Sequence, residues 1–308
     1  MSSNYWDDFE RRIGETVKHV REGEALKVRR VAVFITNRCN FKCSYCNVSQ
    51  NPEELSEERF DDIIKKYGGD AIIHITGGEP SVVSWLYDYI ESTPDVRFHL
   101  NSNMFIMPPK NITRLKVSLD SNDRDYFDTI VAKKGAFDKV VANIKEASKH
   151  SSTSITCTLT KENYEKAPEF MRWCREVFTD LYAVFFSVYK GTDERFMFTT
   201  EAANNFFENV KPLLEKEMDK ESLELLHETI DEKIRIMQAV RFPENSEKKP
   251  CYISMSERVI DPKGDVWNCS HLFRDCIKQS DNSKNKKCLY GCNRRLIAFN
   301  EEVEKLLT

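Results

Sequence analysis

No stretch of this chain approaches the roughly 18 consecutive apolar residues that a membrane-crossing helix needs, so a spanning helix is not expected. The segment Met1 to Gly14 has no apolar core of the kind a signal peptide carries; Asp7, Asp8, Glu10, Arg11 and Arg12 stand there instead. Nor is one sign of charge in excess. Lys and Arg total 46 and Asp and Glu 50, a net charge of −4, which argues against general nucleic-acid binding through phosphate neutralisation. These absences point to a cytoplasmic protein with no membrane attachment. At 308 residues, with 40% apolar and 31% charged residues, one large domain or two smaller ones can bury a sizeable core.

Cysteine is present in plenty, at ten residues. Disulfide-stapled secreted scaffolds are short, whereas most of these cysteines fall in two groups of a long chain, which suits metal binding in a reducing compartment. The first group is Cys39, Cys43 and Cys46, spaced x3 then x2, just after the apolar run Val31 to Ile35. A structural zinc site closes with four protein ligands and a four-iron cluster normally takes four thiolates, so a tight trio leaves one metal corner for an outside ligand. Half a zinc site, or a coincidence of core cysteines, is the competing reading.

Residues 4 to 28 read as an amphipathic helix with Trp6, Phe9, Ile13, Val17 and Val20 on one face, expected to pack on the main domain. From Arg29 strand-like and helix-like segments alternate. The strands lie near 29–36, 70–76, 95–101, 114–119, 153–160 and 181–189, and the helices near 56–67, 82–91, 135–149 and 163–178. Ser56 suits a helix start and Gly68 and Gly69 its end, while the link from Asn101 to Arg114 shows no clear helix.

A parallel sheet buried on both faces is apolar on both. Here one parity is polar: Arg97, His99 and Asn101; Lys116, Ser118 and Asp120; Thr156, Thr158 and Thr160; Ser187 and Tyr189. The other holds Phe98, Leu100, Leu115, Val117, Leu119, Ile155, Cys157, Leu159, Val184, Phe186 and Val188. In a curved open barrel the apolar parity faces the helices and the polar one lines a lumen. A solvent-facing edge explains one such strand but not four in succession. Cys157 and, on a helix beside Trp173, Cys174 read as core residues.

The second strand ends in Thr76-Gly77-Gly78-Glu79-Pro80. Two glycines let a ligand approach the backbone closely, and Glu79 is an acceptor suited to an ammonium group. Alone the motif is an ordinary turn.

Taken together, the cysteine trio with aromatic Tyr45 before its last member and the glycine-glycine-glutamate-proline motif about 30 residues later resemble the radical S-adenosylmethionine (SAM) superfamily. The resemblance implies a partial (β/α)6 TIM-like barrel over 29–190 in which Cys39, Cys43 and Cys46 hold a [4Fe-4S] cluster. The amino and carboxylate groups of SAM chelate the fourth iron. One electron then cleaves the sulfonium, and the 5'-deoxyadenosyl radical abstracts a substrate hydrogen. Gly77, Gly78 and Glu79 are implied at the SAM amino group, Tyr45 beside the adenine, Ser118 and Asp120 at the ribose or carboxylate, and Asn101 facing the site. A flavodoxin- or ferredoxin-type electron donor is implied as a partner.

Residues 200 to 242 read as helices of a connector over 191–250, whose dense charges mark a solvated face. The second cysteine group follows: Cys251, Cys269, Cys276, Cys288 and Cys292. Between the first two, Val259 to Cys269 reads as a hairpin turned at Pro262 and Gly264. Cys251, Gly264 and Cys269, at x12 and x4 spacing, resemble the opening of the SPASM/Twitch extension of radical SAM enzymes. That implies a small cysteine-rich auxiliary domain over 251–295, followed by a helix over 296–308. It also implies a second, auxiliary [4Fe-4S] cluster on Cys251, Cys269, Cys288 and Cys292, although the x3 spacing of the last two departs from the commoner x2. Cys276 is left as an alternative ligand or a thiol hydrogen-atom donor. A zinc site also suits five thiols in so short a span.

The resemblance identifies a chemistry and leaves the substrate open. Peptide modification by crosslinking, oxidation or epimerisation comes first on family frequency. A dehydrogenase or epimerase of a sugar, aminocyclitol or other small polar metabolite is the alternative, favoured by Arg97, His99 and Lys116 in the lumen. The non-enzyme alternative is an iron-sulfur or zinc protein for binding or electron transfer, against which Gly77 to Glu79 speak.

Overall fold

The computed structural model describes residues 5–46, 48, 51–189, 191, 193–227, 230, 249–268, 287–288 and 294–308. Helix α1 (Tyr5–Glu22) ends where Gly23 takes a left-handed conformation, and the chain then enters β1 (Arg30–Thr36). Regular alternation follows with α2 (Glu57–Tyr67), β2 (Ile72–Gly77), α3 (Leu86–Ser92), β3 (Phe98–Ser102) and β4 (Ile112–Ser118). The second half comprises α4 (Arg124–Ile130), α5 (Ala136–Ala147), β5 (Ser152–Leu159), α6 (Ala167–Val177) and β6 (Ala183–Val188). Ser56 caps α2, its hydroxyl accepting from the Arg59 N–H, as its place before two glutamates predicts.

Strands β1 to β6 are hydrogen-bonded in sequence order and all parallel, which is the expected half-wound barrel. The connection from β3 to β4 has no helix, as its two prolines suggest. Short α4 was not anticipated; Asp123 caps it by accepting from the Tyr126 N–H at 3.0 Å.

After β6 come α7 (Thr200–Asn205), a π-helical turn (Phe206–Val210), α8 (Lys211–Glu217) and further helix over 220–227. The C-terminal part contributes β7 (Lys249–Pro250), β8 (Glu257–Ile260), β9 (Val266–Trp267), β10 (Lys287–Cys288) and α9 (Arg294–Leu307). The expected hairpin is β8 and β9, antiparallel, with Asp261 accepting from the N–H groups of Lys263 and Asp265, both at 2.9 Å. Its place was not legible: β8 lies parallel against β1, so the hairpin extends the barrel sheet.

Pleating sorts the side chains as the parity argument requires. The apolar parity, from Phe98 through Val188, is buried with Phe60, Ile90, Val140, Ile144 and Phe170 of the helices in the main core. The polar parity faces inward. At the lower end the lumen is plugged by a second cluster joining Val17 of α1, Ala183 and Phe185 of β6, Tyr252, and Leu296, Phe299 and Val303 of α9. Ionic contacts fix this plug: part-buried Glu257 accepts from Arg12 of α1 at 2.8 Å and Arg30 of β1 at 2.9 Å. Among the described residues no helix is long and apolar enough to cross a membrane.

Candidate SAM and cluster site

At the C-terminal ends of the strands one cavity of about 400 Å³ is lined by Cys39, Cys43, Cys46 and Tyr45 from the loop after β1. Gly77 to Glu79 after β2, Asn101 and Asn103 at the end of β3, Ser118 and Asp120 after β4, and Thr156 and Thr158 of β5 complete most of its wall. Five separate segments of the chain thus meet where an open parallel sheet presents its ligand site. Its volume is that of a small-molecule site.

Backbone contacts hold the cysteine loop on both sides. The N–H groups of Lys42 and Ser44 donate to the carbonyls of Val131 and Ile130 at 3.1 and 2.9 Å, and Phe41 is buried beneath. On the other side Gly78 N–H donates to Thr36 at 2.7 Å and Glu79 N–H to Arg38 at 2.9 Å. The two glycines serve this contact. A Cβ on Gly77, where φ is +145°, would lie 2.4 Å from the Thr36 carbonyl oxygen, and one on Gly78 would lie 2.2 Å from that of Arg38. The close approach expected of a ligand is made first by the cysteine loop's own backbone.

Glu79 is 1% exposed and accepts from Ser81 N–H at 3.1 Å, Ser102 hydroxyl at 2.9 Å and Asn103 N–H at 2.7 Å. A carboxylate offers about four acceptor directions, so one remains for an ammonium group. Burial raises its pKa, although these donors oppose the shift. Asp120 lines the cavity, its two oxygens accept from the Tyr45 hydroxyl and from Thr158 N–H, and it is 4% exposed. It ties the cysteine loop to β5, while Ser118 is exposed to the cavity. Tyr45 stands edge-on to Phe196 with 6.1 Å between ring centres.

Asn103 is a residue that sequence reasoning missed. Its amide donates to Asn40 at 2.7 Å and lies 3.9 Å from Cys39 Sγ, and its N–H binds Glu79. The signal was the Asn-Ser-Asn sequence at the end of β3, from which only Asn101 was singled out; Asn101 donates to Thr76 at 3.3 Å.

The donor set fits an iron-sulfur group. Burial pushes the Cys39 thiol up to about 11 and that of Cys43 higher still, with Asp120 adding to the latter, so both are protonated at neutral pH and metal binding displaces their protons. Cys39 Sγ already accepts from Phe41 N–H at 3.4 Å, an orientation that suits a thiolate ligand. Among the described residues no three Cys, His, Asp or Glu side chains converge on the scale of a single ion.

Residues 33–174 match the Radical SAM superfamily. The chain carries a radical SAM domain. Relatives in sequence include a probable GTP 3',8-cyclase of Methanocella arvoryzae, 31% identical over 135 residues, covering 39% of this chain and 44% of that protein. The GTP 3',8-cyclase of Vibrio parahaemolyticus is 26% identical over 165 residues, covering 46% and 49%. The chain therefore spans about half the length of the curated relatives it matches. In structure it resembles Streptococcus suis SuiB bound to S-adenosylmethionine, with a TM-score of 0.58 and 14% identity over 90% of this chain and 67% of that one. This likeness is one of fold and reaches beyond the matched residues.

Of the second cysteine group, Cys251 is half-buried. Cys269, Cys276 and Cys292 lie outside the described residues, and Cys288 is described in its backbone, where β10 sets it opposite Lys249, two residues before Cys251.

Proposed function

We propose that this protein is a radical SAM enzyme in which Cys39, Cys43 and Cys46 hold a [4Fe-4S] cluster and the adjoining cavity holds SAM. The carrying observation is that the cysteine trio, Gly77 to Glu79 and a polar barrel lumen line one cavity. When bound, cluster and SAM supply one-electron cleavage of the sulfonium and a carbon-centred radical that takes a hydrogen atom from the substrate. Glu79 accepts the SAM ammonium in its remaining acceptor direction, Tyr45 packs beside the adenine, and Ser118 and Asn101 face the ribose and carboxylate. Asp120 acts on the site through Tyr45. Cys251, Cys269, Cys288 and Cys292 hold an auxiliary [4Fe-4S] cluster of Twitch type, a reading supported by the β7–β10 pairing that brings the backbones of Cys251 and Cys288 near each other. Cys276 returns a hydrogen atom or replaces one of the four ligands.

The substrate proposed first is a peptide, in keeping with the likeness to SuiB, which is also known bound to its precursor peptide SuiA. A second reading, a small anionic metabolite, is favoured by the lumen itself. Arg30, Arg114 and Lys116 face it, and Arg30 lies 2.7 Å from His74 Nδ1. Burial and then these cations push the His74 and His99 pKa values down, so both rings are neutral donors or acceptors. Relatives bearing the name GTP 3',8-cyclase point the same way. The test of the shared core is the electron paramagnetic resonance spectrum of the reduced, reconstituted protein with and without SAM. A shifted signal supports SAM at the cluster; an unchanged signal moves the protein to binding or electron transfer.

A further inference from the structure

One flank of the cysteine loop packs against the segment after β3, which leads from the site to the surface. The segment after β3 passes from the cavity at Asn103 to Phe105, then to Ile106 and Met107, which are 40% and 38% exposed. Met104 turns this corner with φ at +58° while fully buried, and Asn143 of α5 donates to its carbonyl at 2.8 Å. Phe105 stands edge-on to Phe41 of the cysteine loop, with 5.6 Å between ring centres, and Phe41 N–H is 3.4 Å from Cys39 Sγ. Two contacts therefore join this exposed segment to the Cys39 thiol.

Lysines surround this spot. The Nζ atoms of Lys139 and Lys133 lie 4.2 and 5.0 Å from the centre of the Phe105 ring. Lys134 is exposed in the same turn, and Lys42 adjoins it through the bond of its N–H to Val131. None of the four is in an ion pair with a described residue. The neighbouring carboxylates are engaged: Asp128 accepts from the N–H groups of Gly135 and Phe137 at 2.5 and 2.8 Å, and Asp138 pairs with Arg124 at 2.8 Å. On a chain of net charge −4 this is a local cationic ring around exposed apolar side chains. A desolvated apolar centre with a charged rim is the anatomy of a steered protein interface.

We propose that Lys133, Lys134 and Lys139, with Phe105, Ile106 and Met107, form the docking face for a small acidic one-electron carrier protein of low potential. The proposal rests on the radical SAM reading, which requires one electron per SAM cleaved. That electron leaves the anionic flavin hydroquinone of a flavodoxin, leaving its neutral semiquinone, and arrives at the group held by the cysteine trio. No bond or proton changes hands at the interface. The lysines set encounter rate and orientation, and the Phe105–Phe41 contact shortens the path.

The test compares two reductants on reconstituted protein, reduced flavodoxin and dithionite, by 5'-deoxyadenosine release. The triple variant K133E/K134E/K139E is predicted to lose roughly tenfold or more of the flavodoxin-driven rate while keeping its dithionite-driven rate within about twofold. The wild-type flavodoxin rate should fall as salt rises. A charge-removing triple of glutamines, which keeps the aliphatic stems, should fall between the two and controls for folding. An undiminished flavodoxin rate, or equal loss with both reductants, overturns the docking face. Should wild-type protein release nothing with dithionite, the radical reading fails by itself. Flavodoxin binding to wild-type and triple variant then still decides the face, and equal binding overturns it.

Discussion

Substituting Gly78 by alanine probes the joint between the cysteine loop and the strand end that carries Glu79. The added Cβ would sit 2.2 Å from the Arg38 carbonyl oxygen and 2.8 Å from its carbon, so the loop backbone must retreat by about 1 Å. Retreat strains the bonds from Gly78 N–H to Thr36 and Glu79 N–H to Arg38. Overpacking costs about 1–3 kcal/mol and each of the two weakened bonds about 0.5 kcal/mol, which together make about 2–4 kcal/mol. For a chain of this size that lowers Tm by roughly 4–8 °C. Thermal unfolding of the metal-free protein by circular dichroism measures it, and iron per chain after reconstitution should fall as Cys39 moves with Arg38. Gly69→Ala, with nothing within 4 Å of the new carbon, is the control and should stay within about 0.5 kcal/mol of wild type. A Gly78→Ala protein with wild-type Tm and full iron would refute the reasoning.

Glu257→Gln should destabilise by about 3–5 kcal/mol, because the buried charge of Arg12 and the part-buried charge of Arg30 lose their shared carboxylate. Burial raises the Glu257 pKa, but Arg30 and Arg12 outweigh it and hold the carboxyl below its usual range. Its contribution is therefore present above the unfolded pKa of about 4.3 and lost as pH falls through the lower folded value, so wild type and variant should converge in acid denaturation. Cys43→Ala should abolish SAM cleavage while iron bound by the C-terminal cysteines remains; retained cleavage would remove the trio from its proposed role. Cys276→Ser should keep iron content and stop turnover if its thiol returns a hydrogen atom, whereas loss of iron makes Cys276 a ligand.

The barrel was readable because its strands are short apolar-polar alternations between helices with marked starts, as at Ser56. The polar parity announced a lumen, and the cavity lining of Lys116, Ser118, Thr156 and Thr158 agrees with it. What stayed hidden depended on partners distant in sequence. That β8 joins β1 needs pairing of Glu257 with Arg30, which no local pattern encodes. Glycines at 77 and 78 state that something comes close, and only the fold says that it is the Thr36 to Arg38 backbone. Asp120 is implied at the ribose or carboxylate, and only the fold places Tyr45 and Thr158 on it as well. Asn103 lies past the strand end, where period and parity no longer assign a direction.

Anaerobic reconstitution with iron and sulfide, followed by dithionite and SAM, tests the central claim most directly. The prediction is about eight irons per chain, two four-iron clusters, together with 5'-deoxyadenosine. About four irons with deoxyadenosine would keep the radical core and return the C-terminal cysteines to zinc or structure. A full complement of iron with no deoxyadenosine would contradict the account.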